Sequence, residues 1–161
     1  MPVNAAERAY LDANVLLALV QDEDGRADVV QGLLEDARHG RIEAITSVLT
    51  VTEVVYAADE TSAGNLEADA SDRIDTLWEP ASPITVVDAS MVTSRKARDL
   101  IREARNRGFK LKPYDAQHLA AATLHGATRL FTYEKASTRE KWSDLLGIPV
   151  EEPWTSQPSL L

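Results

Sequence analysis

The chain has 161 residues, 44% of them apolar, no cysteine and a formal charge of −9. That length and apolar content suit one ordinary domain with a sizeable core, and the missing thiols exclude disulfides, thiolate zinc sites and cysteine nucleophiles, leaving oxygen and imidazole as metal donors. The charge opposes general binding to polyanions, and the longest apolar run, Val15 to Val20, is too short to cross a bilayer; with no signal-peptide run in Met1 to Arg8, the expected location is the cytoplasm.

Along the chain, Ala9 to Leu11 reads as a short strand ending at Asp12, followed by a helix from Asn14 to Val20. Ala27, Val30, Leu33, Leu34 and Ala37 recur at helical spacing between Asp24 and His39, and Gly40 stops that helix. Ile42 to Thr46 is a second strand, and Ser47 can cap a helix from Val48 to Ala58 that carries Glu53. Asp59 to Asp72 is polar, with Gly64 and Asn65, and reads as a loop or frayed entry to a helix ending near Trp78.

Ile84 to Val87 is a third strand, with Asp88 as the cap of a long helix from Ala89 to Arg107 closed by Gly108. Pro113 opens another helix that runs to about His125 before Gly126; Leu130 to Thr132 is a fourth strand, and Pro149-Val150 introduces a fifth. Alternating strands and helices predict an α/β fold of three layers around a mostly parallel sheet of four to five strands. One domain is expected over residues 1–152, with a loosely held tail from Pro153.

Ligands of an open parallel sheet bind beyond the carboxyl ends of its strands. Asp12 follows the first strand, Glu53 lies in the helix after the second, Asp115 opens the helix after Pro113, and Glu134 lies two residues beyond the fourth strand. Each has an ordinary explanation: a turn aspartate, a solvated glutamate, an acid complementing a helix dipole, and loop composition. As a set they form a candidate catalytic cluster. Carboxylates held close repel one another, and a hard divalent cation removes that cost, Mg²⁺ first and Mn²⁺ as substitute. Such an ion can position and deprotonate a water against a phosphodiester.

Asn14, Ser47 and Thr132 could orient the acids or the water, although capping is the commoner role for Ser47. His118, three residues after Asp115 and flanked by Leu119 and alanines, reads as a partly buried structural histidine rather than a ligand. Eight of the 17 basic residues fall between Arg95 and Lys112, and Arg95, Arg98, Arg102 and Arg105 form a helical stripe, read as a phosphate-binding ridge against the plainer alternative of a solvated face.

Four segments, Leu11-Asp-Ala-Asn-Val15, Thr46 to Val54, Tyr114 to Ala122 and Leu130-Phe-Thr-Tyr-Glu134, occur in an order that resembles the PIN domain in its bacterial VapC-type form, across about Tyr10 to Val150. The resemblance implies a Mg²⁺- or Mn²⁺-dependent endoribonuclease, dimerisation, and neutralisation by a cognate antitoxin. It makes Asp12 and Asp115 the direct metal ligands, Glu53 a helper through metal or water, Glu134 the acid completing the pocket, and Asn14, Ser47 and Thr132 supporting groups. The family pattern T-x-D-x-D-F after the fourth strand is replaced by Thr132-Tyr133-Glu134-Lys135-Ala136-Ser137, so one acid is lengthened and another is absent. An inactive PIN domain that binds RNA or protein is therefore the competing expectation. A haloacid-dehalogenase-like phosphatase needs an aspartate where Asn14 stands.

Overall fold

The computed structural model describes residues 6–61 and 68–156. Its elements are β1 (Glu7–Leu11), α1 (Ala13–Val20), α2 (Arg26–Arg38), β2 (Ile42–Ser47), α3 (Val48–Thr61), α4 (Ala68–Leu77), β3 (Ile84–Val87), α5 (Met91–Asn106), α6 (Pro113–Leu124), β4 (Arg129–Phe131), α7 (Ala136–Leu146) and β5 (Val150–Glu151). The five strands pair only in parallel, in the order β3-β2-β1-β4-β5. The expected α/β class holds, with the strand number at the upper end of the expected range. No described helix is long and apolar enough to cross a membrane.

Strand side chains alternate between faces, and here both faces are apolar. Ala9 and Leu11 of β1, Ala44 of β2 and Phe131 of β4 pack with Val15, Val30, Leu33, Val54 and Ile74 from α1 to α4. Tyr10, Ile45 and Leu130 point the other way and pack with Leu100, Leu119 and Trp142 from α5 to α7. The sheet is thus sandwiched between two helical layers. The chain winds from β1 outward to β3, then crosses back to place β4 on the other side of β1. The β1/β4 junction is consequently the switch point where a crevice opens beyond the strand ends.

Several boundaries differ from those read in the sequence. The long helix starts at Met91, and its cap is Ser90 rather than Asp88: the Ser90 side chain accepts from the Thr93 amide while Thr93 Oγ1 accepts from the Ser90 amide, a reciprocal box that Asp88 has no register to form. Helix α3 runs on to Thr61 because Val54 and Ala58 keep a buried edge, and α4 begins at Ala68, four residues before Asp72; residues 62–67 lie outside those described. Helix α7 was not anticipated. Its signal is short, Trp142, Leu145 and Leu146 at helical spacing and Gly147 at φ 70 as the left-handed terminator.

The expected loose tail is instead fastened as far as Ser156. Pro153 is buried, the Trp154 ring meets Phe131 edge-on at 5.8 Å, and its indole donates to Glu151. Asp36 of α2, 2% exposed, accepts from Thr155 Oγ1 (3.0 Å), the Ser156 amide (2.8 Å), Ser156 Oγ (2.6 Å) and Arg41 (3.0 Å). A buried carboxylate that gathers these donors captures Thr155 and Ser156, residues that composition alone makes look free. Residues 157–161, the rest of the expected tail, lie outside those described.

Removing that acceptor strands its donors. Asp36→Ala is expected to lower the free energy of unfolding by about 2 kcal/mol, measured by urea denaturation, and to shift Trp emission to the red; unchanged stability would show that the tail contributes nothing to the fold.

Candidate active site

The register of β1 on β4 sets Leu11 beside Phe131, so the next residues, Asp12 and Thr132, meet beyond the strand ends. The Asp12 amide donates to the Phe131 carbonyl (3.0 Å), extending the pairing by one bond. One Asp12 oxygen caps α1 through the Ala13 amide (2.8 Å) and the other accepts from Thr132 Oγ1 (2.8 Å). Having given its proton to Asp12, Thr132 Oγ1 accepts from Asn14 Nδ2 (3.1 Å) and from the Glu134 amide (3.2 Å). Asn14 Oδ1 in turn accepts from the Tyr133 amide (3.0 Å), and Arg26 stacks on the Tyr133 ring at 4.2 Å. Asn14 and Thr132 therefore clamp Asp12 to the turn that carries Glu134.

Glu53 reaches the crevice from α3. Its carboxylate accepts from His118 Nε2 of α6 at 2.8 Å, and the far ring nitrogen, Nδ1, lies 2.6 Å from Tyr10 Oη, which accepts from the Ser47 amide at 3.2 Å. His118 is buried, as its setting among alanines suggested, but it is not merely structural padding: it joins a core tyrosine to one of the four acids. Burial pulls its imidazolium down, yet the hydrogen bond to Glu53 and the charges of Asp12, Glu53 and Asp115 outweigh that and leave the pKa raised. Burial, aided by the Asp12 charge, pushes the Tyr10 hydroxyl well above its ordinary value, so it stays protonated.

Asp115, in the first turn of α6, is half-buried. Burial, then the charges of Asp12 and Glu134, push its carboxyl up to about 6, against smaller opposing effects of His118 and Lys112. The coupling shows that three of the four acids share one electrostatic environment. All four line a single pocket of about 300 Å³ together with Asn14, Leu17, Tyr56 and His118.

The other expected site residues separate. Ser47 Oγ accepts from the Leu49 amide (3.2 Å) and so caps α3; it does not reach the acids, and Ser47 enters the site only through its own amide on Tyr10. Arg95, Arg98, Arg102 and Arg105 are exposed on α5, opposite the buried face of Thr93, Ala97, Leu100 and Ala104, and none lines the pocket. Arg98 pairs with Asp99 at 2.9 Å and Arg102 approaches the same acid at 4.0 Å. Sequence reasoning gave Tyr10 no role beyond its place in the first strand and set His118 aside; the available signal was the i, i+3 spacing of Asp115 and His118 on one helix face.

Among the described residues, no three acidic or imidazole side chains converge as a preformed metal cage. The donor chemistry nonetheless suits a hard cation: the pocket offers carboxylate oxygens, burial together with the charges of Asp12 and Glu134 raises the pKa of Asp115, and Mg²⁺ commonly takes only one or two carboxylates and keeps several waters.

An α/β sheet with an acidic crevice at its switch point defines the class, and comparison with known proteins defines the family. The PIN domain family profile matches residues 9–139, so the chain belongs to the PIN domain family. Among solved structures, VapBC2 from Rickettsia felis bound to a DNA fragment from its promoter is similar at 15% identity, with a TM-score of 0.68 over 91% of this chain and 98% of that one. VapC20 from Mycobacterium tuberculosis, a Sarcin-Ricin loop cleaving toxin, is 12% identical, with a TM-score of 0.60 over 81% of this chain and 92% of that one. A toxin–antitoxin complex from Klebsiella pneumoniae is 24% identical, with a TM-score of 0.58 over 91% and 98% of the two chains. At these identities the likeness is one of fold. No curated protein matches the sequence.

The raised Asp115 pKa has a consequence for metal-free protein. Its folded value, about 6, lies above the ordinary 3.8, so folding takes up a proton between those pH values and the stability Asp115 contributes falls as pH rises from about 4 to 6. Asp115→Asn is neutral throughout. It should therefore match the wild type near pH 3.5 and exceed it above pH 7 by on the order of 1 kcal/mol, the half-exposed setting having reduced the effect. Thermal melts in EDTA across that range test this; a variant less stable than wild type at pH 8 contradicts a cost for burying the charged carboxylate beside Asp12 and Glu134.

Proposed function

We propose that the protein is a metal-dependent endoribonuclease, a hydrolase of RNA phosphodiester bonds, that acts as the toxin of a toxin–antitoxin pair. The observation that carries this reading is the convergence of Asp12, Glu53, Asp115 and Glu134 in one pocket, with Asp115 perturbed by burial and then by its acidic neighbours. Membership of the PIN family and likeness in fold to VapC20, named as a Sarcin-Ricin loop cleaving toxin, support nuclease chemistry on RNA. Likeness to VapBC2 and to the Klebsiella toxin–antitoxin complex supports a cognate antitoxin protein as partner.

In this reading Asp12 and Asp115 hold Mg²⁺, or Mn²⁺ in its place, and a bound cation supplies charge for the phosphate and acidity for its water. Asp12 is suited to the task because both its oxygens are fixed by Ala13 and Thr132 before any ligand arrives. Glu53, standing across the pocket, takes the proton from the attacking water. Glu134 adds negative charge that favours a cation over bound anions. Asn14 and Thr132 preserve the clamp, and Ser47 supports from further back. The Arg95, Arg98, Arg102 and Arg105 face offers phosphate contacts that compensate the acidity of the chain as a whole. We place the functional unit at residues 1–152 and propose that it works as a homodimer in the cytoplasm.

A second reading, a weak or inactive PIN domain that binds RNA or protein, is favoured by the absence of a three-ligand cage among the described residues and by Ala136, which heads α7 in an exposed position where the family pattern carries a second acid. The two readings part in one assay on labelled total RNA. Wild type with Mg²⁺ or Mn²⁺ is expected to cleave, EDTA to abolish cleavage, and Asp12→Asn and Asp115→Asn each to reduce it by at least about 100-fold. Cleavage that persists in both variants would remove the proposed site; cation binding without cleavage by wild type would leave the binding module.

The arginine face has its own test. Arg95→Ala with Arg105→Ala should weaken RNA binding and flatten its dependence on log salt concentration by about two, measured by filter binding; an unaltered slope would return the stripe to an ordinary solvated surface.

A further inference from the structure

The line Ser47, Tyr10, His118, Glu53 has a direction. A backbone amide can only donate, so Tyr10 Oη accepts from Ser47 and has its own proton to give. The nearest acceptor is His118 Nδ1 at 2.6 Å, which makes Nδ1 the unprotonated nitrogen of the neutral ring and puts the ring proton on Nε2. Glu53, a carboxylate, can only accept, and it lies 2.8 Å from Nε2. Every donor in the line thus points from the sheet toward Glu53, and Nε2 carries a hydrogen facing Glu53 even when the ring is cationic.

The rigidity of this line rises toward its root. Tyr10 is fully buried in the layer of α5 to α7, His118 is 3% exposed and meets the pocket only along its wall, and Glu53, the least buried of the three, opens onto it. Glu53 sits on a different helix from His118, and its helix is capped by Ser47 Oγ, the same residue whose amide anchors Tyr10. A long glutamate on a pocket wall would otherwise sample several rotamers. His118 engages one oxygen, Oε2, and leaves the other for the pocket.

We infer that His118, oriented by Tyr10 and the Ser47 amide, is the positioning residue for Glu53: it fixes the carboxylate so that Glu53 acts on the reacting water through its second oxygen and not as a direct metal ligand. This rests on the nuclease reading given above for the chemistry, though not for the geometry. His118 touches neither RNA nor cation. Asp12 and Asp115 are left to hold the ion, so loss of His118 should impair turnover while sparing cation affinity.

The ring nitrogens of full-length, metal-free protein report the geometry without any activity. At alkaline pH, long-range ¹H–¹⁵N correlation should show His118, assigned by its absence in His118→Gln, as the Nε2–H tautomer, and Tyr10→Phe should convert part of it to the Nδ1–H form. A wild-type ring in the Nδ1–H form overturns the proposal.

Kinetics report the consequence. His118→Ala is expected to lower kcat by about 10–100-fold, with KM for RNA and the Mn²⁺ dissociation constant each moving less than about threefold. His118→Gln, whose amide can donate to Glu53 and accept from Tyr10, should recover most of that loss. In a Glu53→Gln background His118→Ala should cost nothing further, because the group it positions is already gone. Losses that multiply in the double variant, or a collapse of Mn²⁺ affinity in His118→Ala while circular dichroism stays native, overturn it. Inactive wild type with the expected tautomer would sink the nuclease and keep the geometry; metal-dependent cleavage with multiplying losses would do the reverse.

Discussion

Carboxylates gathered in a half-dry crevice repel, and the rest of this structure depends on how that repulsion is restrained. Asp115 shows the cost in a pKa raised first by burial and then by the charges of Asp12 and Glu134. Asp12 is held by two hydrogen bonds, Glu53 by an imidazole, and the Glu134 turn by Thr132 and Asn14. No one element could do this. The parallel register of β1 on β4 brings Asp12 to Thr132, while α3 and α6, packed on opposite faces of the sheet, deliver Glu53 and His118 to each other over its end. Stability is spent locally to keep acids where a cation can use them, as functional sites commonly do.

Much of this was readable from the chain. A strand with apolar residues on both faces announces a buried parallel sheet, so Ala9-Tyr10-Leu11 placed Asp12 at a strand end, and Pro113 and Gly126 bracketed the helix with Asp115. What was hidden lay in pairings across long sequence separations. Nothing local says that Tyr10 keeps its hydroxyl for His118, 108 residues away, or that Glu53, which a helical wheel sets off the apolar face, finds an imidazole from another helix. Asp88 looked like a cap because Asp often is one; Ser90 won by having Thr93 in reciprocal register. Helix α7 escaped because its polar residues dominate and a single tryptophan carries its buried side.

The arginine face shows the opposite limit. Its periodicity was legible and its exposure follows, yet that none of its four arginines lines the acidic pocket could come only from three dimensions. Helix α5, which carries the stripe, packs on α6, which carries Asp115 and His118, and Gln117 of α6 donates to Ser94 of α5.

The fastening of the chain end also has a mechanical side. Asp36 belongs to the α1 to α4 layer, whereas Trp154 leans on the Phe131 side chain and on Arg129, which pairs with Glu7 and Glu151 on neighbouring strands. Residues 153–156 therefore stitch a helix to the far edge of the sheet. A force that pulls on the chain from the C-terminal side of Ser156, such as an unfolding motor exerts, would load this stitch before it loaded β5 and α7. The grip of one buried carboxylate on Thr155 and Ser156 would then help to set how fast the protein is taken apart, and so how long it persists, without touching the pocket at all.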